Sequence, residues 1–534
     1  MKKIIFLLVL CCSTLVIVVS AQNFGRNLTP DEKLRLSAAI IQSYYVEEVD
    51  ADTIVSEAII AMLRTLDPHS AYSGPDETKE LNQPLEGKFS GIGIQFNMVE
   101  DTVYVIQTTQ GGPSEKAGIR PGDRIISAND TVIAGKKLQN SGIIKVLRGP
   151  KGSVVNLKVK RQDFKDLIEF ELVRDDIPIY SVDASYMIDD TTGYISVTRF
   201  AEATAQEVRQ AADSLSRVGM RHLVLDLSSN GGGYLGSAFE LASEFLDKGD
   251  PVVFTKGLRS PEAHFNVERK GSIDVDRLVV IVDQYSASAS EILAGAIQEN
   301  DRGLIVGRRT FGKGLVQRPF PFPDGSMIRL TTSRYYTPSG RCIQKPYEKG
   351  RGEEYQLDLL NRYKSGELWH ADSVKLDKSQ KYYTLRNHRV IYGGGGIMPD
   401  LFVPADTSHY SHYYRDLVAK GVIVKYALNY IENNREELLK LYPNEEAFAN
   451  NFIPTDEMIA QLIERGNSAG VEYDEKQWNT SSQFITATLK GLLTRDLYED
   501  GIYVRSTNPL NPDFREALAL IRDAERYNKL LQGR

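Results

Sequence analysis

The chain has 534 residues, which is too long for one ordinary domain, and we expect about two to four. Hydrophobic residues make up 42% and charged residues 25%, a balance that excludes a disordered chain and predicts a large core. The net charge of −7 is mildly acidic, which argues against nucleic acid as the main partner.

The first residues have the pattern of a secretory signal peptide. Two lysines follow Met1, and the stretch 4–19 is apolar. Two small residues, Ser20 and Ala21, then precede Gln22. We predict export with cleavage after Ala21, so that 1–21 is a signal peptide. The alternative is an uncleaved membrane anchor, although the apolar run is short for a membrane span.

Residues 22–84 are predicted to be an N-terminal helical segment. A helix start signal lies at 29–32, and apolar residues then recur at helical spacing up to residue 66. The segment ends in LDPHSAY at 66–72, whose His69 is one candidate for a catalytic base. We prefer a structural role for His69, which is to hold neighbouring loops together.

Residues 85–165 are predicted to form a β-rich domain, because short apolar strands alternate there with glycine turns. The stretches FSGIGI (89–94) and GPSEKAGIRPGD (112–123) resemble a PDZ domain. Such domains add a peptide as an extra strand and bind its terminal carboxylate with main-chain N–H groups. In the alternative, the groove is occupied by the chain itself.

The PDZ resemblance implies a peptide site. Gly91, Ile92 and Gly93 would form the cradle for the carboxylate. Ile92, Ile94 and Leu147 would line the pocket for an apolar last side chain. The expected ligands are therefore proteins or peptides with apolar C-terminal tails.

From 166 to 404 strands and helices alternate, which predicts an α/β core. The apolar strand 223–227 leads into NGGG at 230–233. Glycines between a strand and a helix leave main-chain donors free to bind an anion. A phosphate loop is the alternative, but the chain lacks the lysine and hydroxyl residue that such a loop requires here.

The most informative stretch is 283–317. The apolar run 278–282 predicts a buried strand and helical spacing begins at Ile292, so that SASASE (286–291) lies on a strand-to-helix turn. Serine is a weak nucleophile until a base takes its proton. Lys313, between two glycines, can be that base if burial lowers its pKa. The simpler alternative is capping serines and a surface lysine.

The strand, SASASE and FGKGLVQ (311–317) together resemble the C-terminal processing peptidases, also called tail-specific proteases. The resemblance implies that Ser288 is the nucleophile, that Lys313 is the general base and that Gln317 holds the lysine amine. It also implies an oxyanion hole formed by the N–H groups of Gly232 and Ala289.

The chain departs from that family at Ser228 and Gly231, where arginine and proline are usual, and this leaves the pose of the glycine loop open. The LDPHSxY stretch is a structural element in the family, which supports a structural role for His69. A Ser288–His69 pair remains the rival arrangement. Arg148 matches an arginine of the family's RGxxG turn. It is a candidate for a gating residue, which would hold the active arrangement of the core when a bound tail moves the PDZ domain. The alternative is a solvated turn arginine.

Two further segments carry little chemistry. Residues 345–385 are polar and charged, and we predict a surface excursion from the core. Residues 405–534 have helical spacing and are predicted to be a helical C-terminal module for scaffolding, homo-oligomer or adaptor contact. His409 and His412 have a spacing that suits a metal on a helix, but further ligands are missing, and we predict no metal site.

These features predict a multidomain α/β protein with N-terminal helices, a PDZ domain, a serine-protease core of the tail-specific (ClpP/crotonase-like) type and a helical C-terminal module. We predict a Ser–Lys endopeptidase in the periplasm or cell envelope of a bacterium, with no cofactor and no nucleic-acid partner. The alternative function is a catalytically inactive PDZ adaptor or scaffold in the cell envelope.

Overall fold

The computed structural model describes residues 28–99, 101–162, 164–374, 377–498 and 501–534. The predicted signal peptide, 1–21, lies outside the described residues. Within these ranges no helix combines the length and the apolar character needed to span a bilayer.

The helices are, in chain order, α1 (Pro30–Tyr44), α2 (Ala51–Arg64), α3 (Pro75–Glu86), α4 (Pro113–Ala117), α5 (Asn140–Leu147), α6 (Thr204–Arg217), α7 (Leu235–Ser243), α8 (Ala289–Glu299), α9 (Gly352–Gln356), α10 (Asp358–Lys364), α11 (His412–Ala419), α12 (Val422–Leu441), α13 (Glu445–Asn451), α14 (Asp456–Ser468), α15 (Glu475–Leu497), α16 (Tyr503–Thr507), α17 (Pro512–Arg522) and α18 (Ala524–Leu531).

The strands are β1 (Ala71–Ser73), β2 (Lys88–Gly91), β3 (Ile94–Val99), β4 (Thr102–Thr108), β5 (Arg124–Ala128), β6 (Thr131–Val132), β7 (Val154–Lys160), β8 (Ile168–Val173), β9 (Asp175–Pro178), β10 (Val182–Met187), β11 (Thr192–Val197), β12 (His222–Asp226), β13 (Pro251–Lys256), β14 (Ala263–Asn266), β15 (Arg277–Val282), β16 (Leu304–Gly307), β17 (Leu315–Pro321), β18 (Met327–Tyr336), β19 (Lys381–Tyr383), β20 (Val390–Tyr392) and β21 (Leu401–Phe402).

The core is built on a six-stranded sheet in the order β10-β11-β12-β15-β16-β21, in which only the first pair is antiparallel. The run 278–282 of β15 is fully buried because helices α6, α7 and α8 cover one face of the sheet and α17 covers the other. The serine turn follows β15 directly. It therefore lies at the carboxyl ends of the parallel strands, where open α/β sheets bind their ligands.

A second, antiparallel sheet supports the lysine loop. Its order is β1-β18-β13-β14. Strand β17 pairs with β18 as well and lies outside this order. The loop that carries Lys313 connects β16 of the first sheet to β17 of the second. Because β1 comes from the N-terminal segment and also pairs with β18, that segment is held beside the lysine loop.

The PDZ domain is a sheet in the order β3-β4-β5-β7-β8, with β6 paired to β5. Strand β3 is an edge strand, so one row of its main-chain groups is open to an added strand. Strand β2 does not join this sheet but pairs with β9, where the chain leaves the domain for the core.

The tail is not the single helical module that we predicted for 405–534. Helices α11 to α15 have an apolar core of their own, whereas α17 and α18 complete the burial of the central sheet. Asp513 of α17 forms a buried ion pair with Arg308 at 2.8 Å, and the Tyr527 hydroxyl donates to the Leu278 carbonyl at 3.0 Å. The spacing of an amphipathic helix predicts an apolar face but not the surface on which that face packs. The sequence therefore does not distinguish the helices α11 to α15 from α17 and α18.

The first part of the tail also contacts the PDZ domain. Leu428 of α12 packs against Tyr104 and Ile106 of β4. The Gln107 side chain donates to the carbonyls of Arg495 and Tyr498, at 2.6 Å each, where α15 ends and its last carbonyls lack helical partners. The tail thus touches the strand that neighbours the open edge strand β3.

Most described residues of the predicted surface excursion, 345–385, are exposed or half-buried as expected, but a few are buried. Tyr355 and Arg362 are buried against the core, and Glu367 receives hydrogen bonds from the guanidinium groups of Arg309 and Arg362. Polar composition predicts exposure on average, but these charges are paired with one another, which permits their burial.

Candidate active site

The three serines of the turn have different surroundings. Ser286 and Ser290 are fully buried, and their hydroxyls donate to the carbonyls of Leu227 and Asn230 at 2.8 Å each. Ser288 is partly exposed. The turn therefore uses its outer serines to fasten the backbone and presents the middle one to substrate.

The backbone of Ser288 is strained. Its φ is 56° and its ψ is −112°, a backbone conformation that residues other than glycine rarely adopt. Ser288 is also the residue that directly precedes α8, so its side chain lies at the N-terminal end of that helix. Strain of this kind is typical of nucleophiles held on a strand-to-helix turn.

Glu291 joins the two candidate catalytic residues. Its carboxylate is fully buried, and Oε2 accepts the main-chain N–H groups of Ser288 and Lys313 at 2.8 Å each. Oε1 accepts the Gly312 N–H at 2.7 Å and the Thr310 hydroxyl at 2.5 Å. Burial raises the pKa of Glu291, and these hydrogen bonds oppose that rise. One side chain thus sets the spacing of the serine turn and the lysine loop.

Tyr335 of β18 joins the same two residues on their carbonyl side. Its buried hydroxyl donates to the Lys313 carbonyl at 2.6 Å and lies 3.1 Å from the Ser288 carbonyl. Burial raises the pKa of Tyr335 well above its usual value, so the hydroxyl remains a donor. The backbones of Ser288 and Lys313 are therefore bridged twice.

The Lys313 side chain is half-buried, and its surroundings favour the neutral amine. Burial lowers the pKa of Lys313, and the positive charge of Arg329 lowers it further. The carboxylates of Glu291 and Asp67 act in the opposite direction without cancelling the effect. A neutral amine beside a serine can accept the serine proton.

Gln317 does not hold the lysine amine in this structure. Its amide nitrogen donates to the carbonyl of Leu315 and to the hydroxyl of Thr331, at 3.3 Å each. The cause is a register shift between Val316 and Gln317, which places Gln317 opposite Thr331 in the β17–β18 pair. We therefore correct the predicted contact of Gln317 with Lys313.

Gly232 lies beside the serine, but its N–H is already bonded. A Cβ at this glycine would stand 2.8 Å from the Ser288 Cβ, and its φ of 101° also requires glycine. Its N–H donates to the Asn230 side-chain oxygen at 2.9 Å, which corrects the prediction of a free oxyanion donor. Ala289 is the first residue of α8, where a helix N–H has no acceptor within the helix.

His69 is close to this cluster but is not placed as a base for Ser288. Its Nε2 lies 2.9 Å from the Tyr355 hydroxyl. Burial, together with the nearby charge of Lys313, lowers the pKa of His69 to about 4, so the ring is neutral at pH 7. The Nε2 atom is thus engaged by Tyr355, and among the described residues no hydrogen bond joins His69 to Ser288.

The structure brings the predicted peptide-binding residues together in the PDZ domain. Ile92 and Leu147 are buried in its apolar core, with Ile94 packed against them at the start of β3. Gly93 has a φ of 71°, and a Cβ there would meet Ile177 and Thr109. Gly91 ends β2 and pairs with Asp175 of β9, so only part of the predicted cradle is free of strand pairing.

Arg148 stands next to this cradle. Its guanidinium donates to the Gln83 side chain at 3.1 Å and lies 4.1 Å from the centre of the Phe89 ring. Its Cγ is 3.6 Å from the position that a Cβ on Gly91 would take. Arg148 thus connects the PDZ domain to α3 of the N-terminal segment, which bears β1 and the turn of His69.

Sequence reasoning assigned no role to Glu291, Tyr335 or Tyr355. For Glu291 a signal existed, because Ser288 and Glu291 have the spacing of a helix capping box. The two tyrosines carry no local signal. The part of the chain that the structure describes contains no cluster of three or more metal-binding side chains, and the His409 ring stacks on Phe484 at 3.7 Å.

Three family models match parts of the chain. The model of peptidase family S41 matches residues 191–350, and the PDZ domain model matches 90–185. A family of unknown function, DUF8443, matches 413–500.

Curated relatives and solved structures are similar over a longer stretch. The carboxy-terminal processing protease CtpB of Bacillus subtilis (strain 168) is 34% identical over 355 residues, which is 66% of this chain and 72% of the relative. CtpA of the same strain is 33% identical over 345 residues, or 63% and 73%. The photosystem II D1 C-terminal processing protease structure has 29% identity, covers 59% of this chain and 91% of its own, and gives a TM-score of 0.35.

Proposed function

Because the chain belongs to the carboxy-terminal processing proteases, serine-type peptidases of family S41 with a PDZ domain, we propose that it is an endopeptidase with a Ser–Lys dyad. The observation that carries this proposal is the double bridge between Ser288 and Lys313 through Glu291 and Tyr335. Family membership and the presence of both dyad residues argue against the inactive adaptor or scaffold.

In the proposed mechanism, Ser288 Oγ attacks the peptide carbonyl and its proton passes to the neutral Lys313 amine. The oxyanion that forms is stabilised by the N–H of Ala289 at the start of α8. The protonated lysine then gives its proton to the leaving amine, and water releases the acyl group by the same steps in reverse.

We propose that the PDZ domain selects the substrate by an apolar C-terminal tail. The open edge of β3 can pair with an extended peptide, and the partly exposed Ile94, which packs on the buried Ile92 and Leu147, can contact an apolar last side chain beside it. In this proposal the domain holds the tail while the body of the substrate reaches Ser288. A substrate with a charged last residue should then be cleaved more slowly than one with an apolar last residue.

Export to the bacterial periplasm or cell envelope is part of the proposal and rests on the basic and apolar start of the chain. The protein isolated from the periplasmic fraction should have Gln22 as its first residue when its N-terminus is sequenced. A chain that keeps Met1 in the cytoplasm would contradict it. Homo-oligomer or adaptor contact through the tail stays a prediction, which sedimentation of the full chain can test.

The dyad itself is tested with an unfolded protein that ends in an apolar residue. Ser288→Ala and Lys313→Ala should each abolish cleavage with the melting temperature retained, because nucleophile and base act as a unit. His69→Ala should reduce cleavage without abolishing it, because His69 is not the base in this proposal. If Lys313→Ala cleaves normally and His69→Ala does not, Lys313 is not the base.

A further inference from the structure

The segment after residue 345 brings a tyrosine to the candidate active site. Tyr355, on the short helix α9, is 7% exposed although its neighbours Glu353, Glu354 and Gln356 lie at the surface. Nothing in the reaction described so far uses it. Its contacts reach both the Lys313 loop and the turn of His69, which are far apart in sequence.

A chain of hydrogen bonds runs through Tyr355. The Gly314 N–H donates to the Gln344 side-chain oxygen at 2.8 Å, and the Gln344 amide nitrogen donates to the Tyr355 oxygen at 3.2 Å. The Tyr355 hydroxyl hydrogen is then free to point to His69 Nε2, 2.9 Å away. Burial raises the pKa of Tyr355, so this hydrogen is retained. The residue after Lys313 is thereby linked to the histidine beside the lysine side chain.

Ring contacts join the same residues. The Tyr355 ring meets the His69 ring edge-on at 5.0 Å and the Phe311 ring at 6.0 Å. The Lys345 ammonium lies 3.8 Å from the Phe311 ring centre and 4.1 Å from that of Tyr355, and it pairs with Asp358 at 2.9 Å. Tyr355 and Lys345 thus pack against Phe311, the residue two positions before Lys313.

We propose that Tyr355 is a positioning residue for the reaction, which holds His69 against the Lys313 loop and keeps water away from the lysine amine. This inference rests on the proposed role of Lys313 as base. Tyr355 itself touches neither the peptide bond nor Ser288. Its effect passes through burial of Lys313, whose other charged neighbours are Arg329 on β18, Glu291 on α8 and Asp67 in the turn before β1.

The test is the pH dependence of kcat/KM for a small peptide reporter, measured on the full chain. Tyr355→Ala should let water reach Lys313, so the midpoint of the rising limb should move upward by about one unit, a loss of about tenfold on that limb. Activity at strongly alkaline pH should recover to the plateau that Tyr355→Phe reaches. Tyr355→Phe keeps the ring and should keep the wild-type midpoint, with a lower plateau because the hydrogen-bond chain is broken.

The matched control is Tyr363→Ala in the neighbouring helix α10, where the tyrosine is 55% exposed and packs against Trp369. It should leave both midpoint and plateau unchanged. If Tyr355→Ala does not fold, Tyr355→Leu replaces it, and the same direction of shift is expected. An unchanged midpoint in the folded Ala or Leu variant overturns the inference, whether activity falls evenly or not at all.

Lys313→Ala in the same assay separates the two proposals. If Lys313→Ala is inactive at every pH and the Tyr355 variants keep the wild-type midpoint, only the role of Tyr355 is wrong. If Lys313→Ala remains active, the dyad itself is wrong.

Discussion

Ser288 and Lys313 donate their main-chain N–H groups to the same oxygen atom, Glu291 Oε2, at 2.8 Å each. The nucleophile turn connects β15 to α8 and the base loop connects β16 to β17, and this shared acceptor joins them without using either catalytic side chain. The Glu291 side chain therefore fixes the spacing of the two backbones and leaves the Ser288 and Lys313 side chains free for the reaction.

Glu291→Gln should lower kcat/KM by about tenfold to a hundredfold, because small misplacements of reacting groups are costly. It should also lower the free energy of unfolding by about 1–3 kcal/mol, since a glutamine nitrogen would face an N–H donor. Steady-state kinetics and thermal melting measure both effects. Glu240→Gln, at an exposed position of α7, is the control. A destabilised variant with wild-type kcat/KM would show that Glu291 serves the fold alone.

The pH profile should rise with pH. Burial and Arg329 lower the pKa of Lys313, so the amine becomes neutral, and able to accept the serine proton, at a lower pH than a free lysine. The midpoint of kcat/KM should therefore lie below about 10.4, the free lysine value. Reporter cleavage measured from about pH 5.5 to about pH 10.5 gives this midpoint. A flat profile over that range would remove Lys313 as general base.

The strained backbone of Ser288 should appear as a difference between two inactive variants. Ser288→Gly relieves the strain at φ 56°, whereas Ser288→Ala keeps it, so the glycine variant should be more stable by about 1 kcal/mol. Thermal melting compares the two. The same pair at Ser290, inside α8, should give the opposite order, because glycine destabilises a helix. Equal stability at position 288 would mean that the turn is relaxed.

Occupation of the PDZ domain should activate the enzyme rather than only compete with substrate. We expect a free peptide with an apolar C-terminus to raise the cleavage rate of a small reporter, because a ligand shifts an equilibrium toward the state that it binds better. Arg148→Ala should reduce this increase, since it removes the contact with Gln83 of the N-terminal segment.

Two measurements make the Arg148 prediction specific. Peptide affinity, measured on full-length chains that also carry Ser288→Ala, should be the same with Arg148 and with alanine there. Lys151→Ala, which removes exposed ion pairs in the same turn, should leave activation intact. Pure competition by the peptide, with Arg148→Ala as active as wild type, would make the PDZ domain a passive tether.

Much of this protein follows from local sequence pattern. The apolar run 278–282 and the helical spacing of apolar residues after Ser288 predict a strand-to-helix turn. Both patterns depend only on residues that are neighbours in the sequence. Glycine-rich turns and short strands predict the PDZ fold in the same way. The resemblance to the tail-specific proteases and the fold class are confirmed by the family models and the relatives.

Contacts between distant segments were decided only by the tertiary structure. The register shift before Gln317 turns that side chain to Thr331, and the Asn230 side chain takes the N–H of Gly232. Tyr355 reaches His69 across the lysine loop, and α17 completes the central sheet from the end of the chain. Each of these depends on which surfaces meet, and a periodic pattern specifies an apolar or polar face without specifying its partner.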